Sequence, residues 1–303
     1  MKTAVFIAAL LVISLVSFYS WWHYNGEVYI HEGAIDDPAL CPGEMAFAVI
    51  GDYGEAGQAE ADVAAMVDSW DADFIVTVGD NNYPDGEWQT IDPNIGQYYS
   101  HYIFPYVGDY DSSAKENRFW PALGNHDLET DLGQAYYDYF TLPGNERYYD
   151  VVDGPIHLFV LNSDEREPDG RSADSVQAQW LKVGLAESEQ PWRLVVMHHT
   201  PYTSSLRRRP DKEVQWPFAD WGATAVLSGH DHLYERLEVD GFPYFVNGAG
   251  GKGLYIFGRP EPESVVRYNQ DHGAMLVQAS DMCINFSFYN REGDLIDSMT
   301  MSH

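Results

Sequence analysis

Residues 229–236 read GHDHLYER, with His230 and His232 two apart directly after the apolar run ATAVLS (223–228). An isolated H-x-H pair is most often turn decoration. Here, however, four other apolar runs end in similar polar punctuation. MAFAVI runs into GDYG (51–54), DFIVTV into GDNNY (79–83), RFWPAL into GNHD (124–127) and WRLVVM into HHTP (198–201). In α/β sheets, ligands gather outside the carboxyl ends of the strands. A strand-end Asp or Asn is by itself only a turn residue. Five such loops in succession bring the metal-ligating types Asp52, Asp80, Tyr83, Asn125, His198, His230 and His232 to strand ends.

Apolar periodicity supplies the elements that would position these loops. A strand over 45–50, a helical pattern over 55–70 and a strand over 73–78 have the spacing of a βαβ unit. RYYDVV, a DG turn and IHLFVLNS read as a hairpin. An amphipathic helix is predicted over 174–188, with strands over 192–197 and 223–228. The C-terminal part is mostly β: LYERLEVDGFPYFVNGAGG, GAMLVQAS, CINFSFYN and DLIDSMTM. The expected fold is α/β (α+β), two mixed β-sheets packed together with helices outside. There is no internal repeat, and residues 45–303 read as one catalytic domain.

Composition sets the surroundings. Seventeen basic and 47 acidic residues leave a formal charge of −30, which excludes a nucleic-acid binder needing a basic footprint. It also argues against affinity for anionic lipid. Lys2 precedes an apolar stretch of about 20 residues, with the layout of a secretory signal and a length just sufficient to span a bilayer. Trp21 and Trp22 stand where an interfacial aromatic belt would. Residues 1–22 therefore read as signal peptide or N-terminal membrane anchor, and 23–44 as a tether. Either way the domain is exported, to periplasm or exterior. That setting permits a disulfide between Cys41 and Cys283; without C-x-x-C spacing the two cysteines are not a metal site.

The ordered set of loops resembles the calcineurin-like metallophosphoesterases, and most closely their purple acid phosphatase branch, in its small tartrate-resistant form. The motifs are Asp52 with Gly54, Gly79-Asp80-Asn81-Asn82-Tyr83, Gly124-Asn125-His126-Asp127, Val195-Val196-Met197-His198 and Gly229-His230-Asp231-His232, spread over roughly residues 45–250. The resemblance implies a four-layer αββα sandwich and a dinuclear metal centre. Asp80 would bridge the ions; Asp52, Tyr83 and His232 would complete the first site, and Asn125, His198 and His230 the second. His126 would stand beside the metals as the catalytic acid.

The residue types agree with that division. Two carboxylates, a phenolate and one imidazole suit a trivalent ion, iron(III). A shared carboxylate, a carboxamide and two imidazoles suit a divalent ion: iron, zinc or manganese. Many relatives outside the branch have a histidine where Gly54 stands, and Tyr83 supplies the compensating ligand. The implied function is phosphomonoester hydrolysis of small phosphorylated substrates, by in-line attack of a metal-bound hydroxide. A phosphodiesterase or nucleotide pyrophosphohydrolase would use the same centre. A non-catalytic binding domain would be expected to have lost a ligand, and none is missing.

The chain departs from its family at one place. Relatives carry a histidine about nine residues after the equivalent of His198, and here Arg207 occupies that place in a run of three arginines. Arg207 is a candidate phosphate ligand; an exposed loop of solvated arginines is the other reading. His199 is a second candidate for contact with substrate.

Overall fold

The computed structural model describes residues 29–30, 35–110 and 113–303. The N-terminal apolar segment lies outside the described residues, among which no helix is long and apolar enough to cross a membrane.

In chain order the strands are β1 (Tyr29–Ile30), β2 (Met45–Ile50), β3 (Phe74–Thr77), β4 (Phe119–Pro121), β5 (Tyr149–Asp153), β6 (Ile156–Val160), β7 (Trp192–Val196), β8 (Ala225–Ser228), β9 (Tyr234–Val239), β10 (Phe242–Asn247), β11 (Ser264–Tyr268), β12 (Gly273–Ala279), β13 (Cys283–Asn290) and β14 (Leu295–Ser302). They form an eight-stranded sheet, β1-β11-β9-β10-β8-β7-β6-β5, and a six-stranded sheet, β14-β13-β12-β2-β3-β4. Both sheets are mixed. β2, β3 and β4 run parallel in one, and β6, β7, β8 and β10 in the other. An antiparallel hairpin finishes one edge at Tyr149↔Val160, and β9 and β10 form another inside the same sheet at Phe242↔Val239.

Side-chain alternation with period two builds the layers. Leu158, Val160, Leu194, Val196 and Leu227 face the core between the sheets. Their neighbours Phe159, Val195 and Val226 face outward, under Ala178, Leu181 and Leu185 of helix Val176–Glu187. Helix Gln58–Ser69 covers the other sheet with Val63, Ala64, Met66 and Val67. The expected αββα order results. The strands it buries are near-continuous apolar runs, as parallel strands covered on both faces must be. Between the sheets, Phe245 stacks on Phe286 and Tyr234 on Phe288, with ring centroids 4.8 and 4.0 Å apart.

Three features lie beyond the sequence expectations. β11 pairs only with strands that are distant or reversed in order, and the short run SVVRY carries no periodic signal. The tyrosine-rich stretch after Tyr83 forms short helical turns between Trp88 and Tyr102; Pro and Gly there interrupt any helical period. Of the segment 23–44 read as a tether, Tyr29–Ile30 pair with β11 and residues from 36 onward are fastened to the domain. Asp36 N donates to Ser298 O at 2.8 Å, and Cys41 is disulfide-bonded to Cys283 with Cα atoms 5.8 Å apart.

Candidate metal centre

Asp52 and Asp80 stand two and three residues beyond the ends of the parallel strands β2 and β3, and His230 two beyond the end of β8. All three residues adopt left-handed backbone, φ 51°, 54° and 66°. This conformation turns the chain sharply after each strand, and Asp tolerates it better than most residues. Gly79 (φ 90°) precedes Asp80, and a Cβ there would meet the His198 ring 2.7 Å away. At Gly54 a Cβ would stand 1.8 Å from the Asn81 carbonyl oxygen. The histidine that many relatives carry at this place therefore has no room.

The seven side chains expected as ligands converge. The Tyr83 hydroxyl lies 2.9 Å from Asp80 Oδ2, 3.2 Å from Asp52 Oδ1 and 3.2 Å from His232 Nε2. The other oxygen of Asp80 faces the second group: His198 Nε2 is 3.3 Å from Asp80 Oδ1, 3.2 Å from Asn125 Oδ1 and 3.1 Å from His230 Nδ1. Asp80 thus turns one oxygen to each group of donors.

The atoms that meet at these two points fit cations. His198 Nδ1 lies 2.9 Å from the Val78 carbonyl, and His232 Nδ1 2.9 Å from that of Gly253. A carbonyl only accepts, so both rings must donate there, and each neutral ring then presents the Nε2 lone pair inward. With both rings neutral, lone pairs would face lone pairs: Nε2 of His198 toward two oxygens, Nε2 of His232 toward a carboxylate and a phenol. One phenolic proton cannot satisfy the three acceptors around it. Burial, followed by Asp52 and Asp80, pushes the Tyr83 phenol well above its ordinary value. Phenolate becomes favourable there only against concentrated positive charge. Burial pulls the His198 imidazolium down, but Asp80 outweighs it and holds the group up, to about 10. That bound proton is one that a metal would displace.

Residues that sequence reasoning did not assign fasten the loops. The Asp127 carboxylate accepts from Asn81 N (2.9 Å), Asn81 Nδ2 (2.8 Å) and Gly124 N (2.8 Å), tying the GDNNY loop to GNHD. Asn81 Nδ2 also donates to Ala122 O. Arg166, in the polar loop after the hairpin, donates to Asn125 O at 3.1 Å. Only the recurrence of Asn and Asp within the motifs could have marked the first two.

His126 is held at both ends. Its backbone N–H donates to Asp80 Oδ1 at 2.9 Å, and Nδ1 donates to the Pro84 carbonyl. Nε2 is left for a substrate. His199 lies against the second group, its ring 4.6 Å from that of His230, and Nδ1 is 3.0 Å from Ser163 Oγ. Burial and His198 pull it down to about 3, so it stays neutral. Arg207 is exposed, with its guanidinium 4.7 Å above the Tyr255 ring; Tyr255 in turn stacks on His232 at 4.0 Å. The charge of the adjacent Arg208 bears on His230. The loop carrying these arginines is pinned by buried Glu235, which accepts from Ser204 N at 2.7 Å and Ser264 Oγ at 2.6 Å.

Comparison with known proteins gives the family. The profile of the calcineurin-like phosphoesterase family matches residues 45–234. Purple acid phosphatase 17 of Arabidopsis thaliana is 24% identical over 301 residues, spanning 88% of this chain and 87% of its own. Human tartrate-resistant acid phosphatase type 5 is 27% identical over 254 residues, 70% of this chain and 76% of its own. A purple acid phosphatase from yellow lupin seeds superposes with a TM-score of 0.66 at 18% identity, over 85% of this chain and 53% of that one.

Proposed function

Since the chain belongs to the calcineurin-like phosphoesterase family, we propose that it is a dinuclear-metal phosphomonoesterase of the purple acid phosphatase type. The observation that carries this reading is the division of donors about Asp80: Tyr83 within 2.9 Å of one oxygen, His198 within 3.3 Å of the other. Asp52, Asp80, Tyr83 and His232 would hold iron(III). Asp80, Asn125, His198 and His230 would hold a divalent iron, zinc or manganese ion. Two ions held there would supply a nucleophile from water at low pH and neutralise charge on the phosphoryl oxygens.

The chain's own residues do the rest. Asp80 sets the separation of the two sites. His126 donates at Nδ1 to the Pro84 carbonyl; as the imidazolium it carries a second proton on Nε2, which it gives to the leaving oxygen as the P–O ester bond breaks. The disulfide supports export, since such bonds persist in oxidising compartments.

Purified protein tests the reading. It should carry two metals per chain, one of them iron, and show a visible phenolate-to-iron band that Tyr83→Phe abolishes. It should cleave a p-nitrophenyl monoester in preference to the bis diester. Colourless, iron-free protein active with zinc or manganese alone would remove the iron assignment, and preference for the diester would favour a phosphodiesterase.

Arg207 is proposed to meet the non-bridging phosphoryl oxygens from its place above Tyr255. Because the guanidinium is exposed, screening keeps its contribution near the lower end for a charge-assisted bond. Arg207→Ala should lower kcat/KM about tenfold. The acidic limb of the pH–rate profile should stay in place, because arginine has no proton to lose there. A kcat/KM within about twofold of wild type would leave the arginines as solvated loop residues.

A further inference from the structure

One short stretch after β10, residues 248–255, touches three of the four donors of the first site. Gly253 O accepts from His232 Nδ1 at 2.9 Å. The Tyr255 amide donates to His232 O at 2.8 Å, and its ring stacks on the imidazole with planes 21° apart. Lys252 N donates to Asp52 O at 2.9 Å. The Lys252 ammonium lies 4.5 Å from the centroid of the Tyr83 ring. Tyr83 is 3% exposed and the Lys252 side chain 27%, so solvent reaches the ammonium from one side and screens it less on the side of the ring. The other partner of the ammonium, Glu55 Oε1 at 2.5 Å, belongs to a side chain that is 53% exposed, where solvent weakens its opposing field.

We infer that Lys252 is a positioning residue that tunes the Tyr83 ligand: its charge on the ring face stabilises the phenolate and lowers the energy of the electrons that tyrosine shares with the metal. The inference rests on the iron(III)–tyrosinate reading of the first site. A cation over an aromatic face is attracted by the ring quadrupole, and it is attracted more strongly still once the ring is anionic. Two consequences have fixed signs. Because the ammonium sits on the ring face, it lowers the phenolate electrons more than the iron level that would receive them, so the visible band moves to shorter wavelength. Positive charge beside the iron disfavours the trivalent state, so the ammonium raises the reduction potential. Lys252 would thereby hold the iron in reach of reduction despite three anionic ligands.

The test compares full-length, metal-loaded wild type with K252M, which keeps length and loses charge, and K252R, which keeps charge. Metal content, the visible spectrum of the oxidised protein and the reduction potential of the coloured iron are measured. K252M should retain two metals per chain, shift its band to longer wavelength and lower its potential; K252R should stay near wild type on both. A coloured wild type with an unmoved band and potential in K252M overturns the tuning role and leaves the iron reading standing. K252M that loses a metal shows that Lys252 builds the site instead of tuning it. A wild type without a visible band overturns the iron(III)–tyrosinate reading and the role of Lys252 with it.

Discussion

Asp80→Asn should release metal from both sites and lower kcat/KM by at least ~10³-fold. The substitution is nearly isosteric, and its effect comes from chemistry. One oxygen of Asp80 faces Tyr83 and the other faces His198. An asparagine can place its single oxygen toward only one of these groups. It would then accept from the His126 amide as Asp80 Oδ1 does now, and its NH₂ would replace Oδ2. An NH₂ has no lone pair for a cation, and it removes one negative charge from both sites at once. Metal analysis beside a p-nitrophenyl phosphate assay checks the prediction. An Asp80→Asn protein that keeps two metals and more than a tenth of wild-type activity would show that Asp80 does not bridge.

His126→Ala should show the opposite pattern, keeping both metals and losing ~10²–10⁴-fold in kcat, the usual contribution of a positioned acid. The contact between His126 and Asp80 runs through the backbone amide, so alanine preserves it and the metal donors stay as they are. What disappears is the ring that Pro84 O orients. The loss should be smaller for substrates with good leaving groups, such as p-nitrophenolate, than for alkyl phosphates, because a weakly basic oxygen needs less help from a proton. Equal losses on both substrate types would place His126 on the phosphoryl group; loss of a metal would make it a structural support of the centre.

Much of this site is legible in the sequence because its ligands sit where a strand stops. An apolar run of four to six residues followed by Gly-Asp, Gly-Asn-His, Gly-His or His-His is a local pattern. Asp52, Asp80, Asn125, His198 and His230 can all be found that way. Tyr83 and His232 follow within three residues of such ends. The layer order is legible for the same reason: period-two burial and amphipathic helices are properties of neighbouring residues. Asp127 and Asn81 were visible as letters but not as fasteners, since the bonds between them cross 46 positions.

The sequence by itself thus determined the residue types that converge around Asp80 and the strand ends that present them. The tertiary structure alone decided which nitrogen of each histidine turns inward, through the carbonyls of Val78 and Gly253. It also decided that Cys41 meets Cys283, that Tyr255 stacks on His232 and that Lys252 rests on the Tyr83 ring. The physical reason is common to these contacts. Every residue carries a carbonyl, so no sequence pattern marks the one that will orient an imidazole 120 positions away. Likewise an ammonium acquires its effect on a ligand only from a distance, and packing sets that distance.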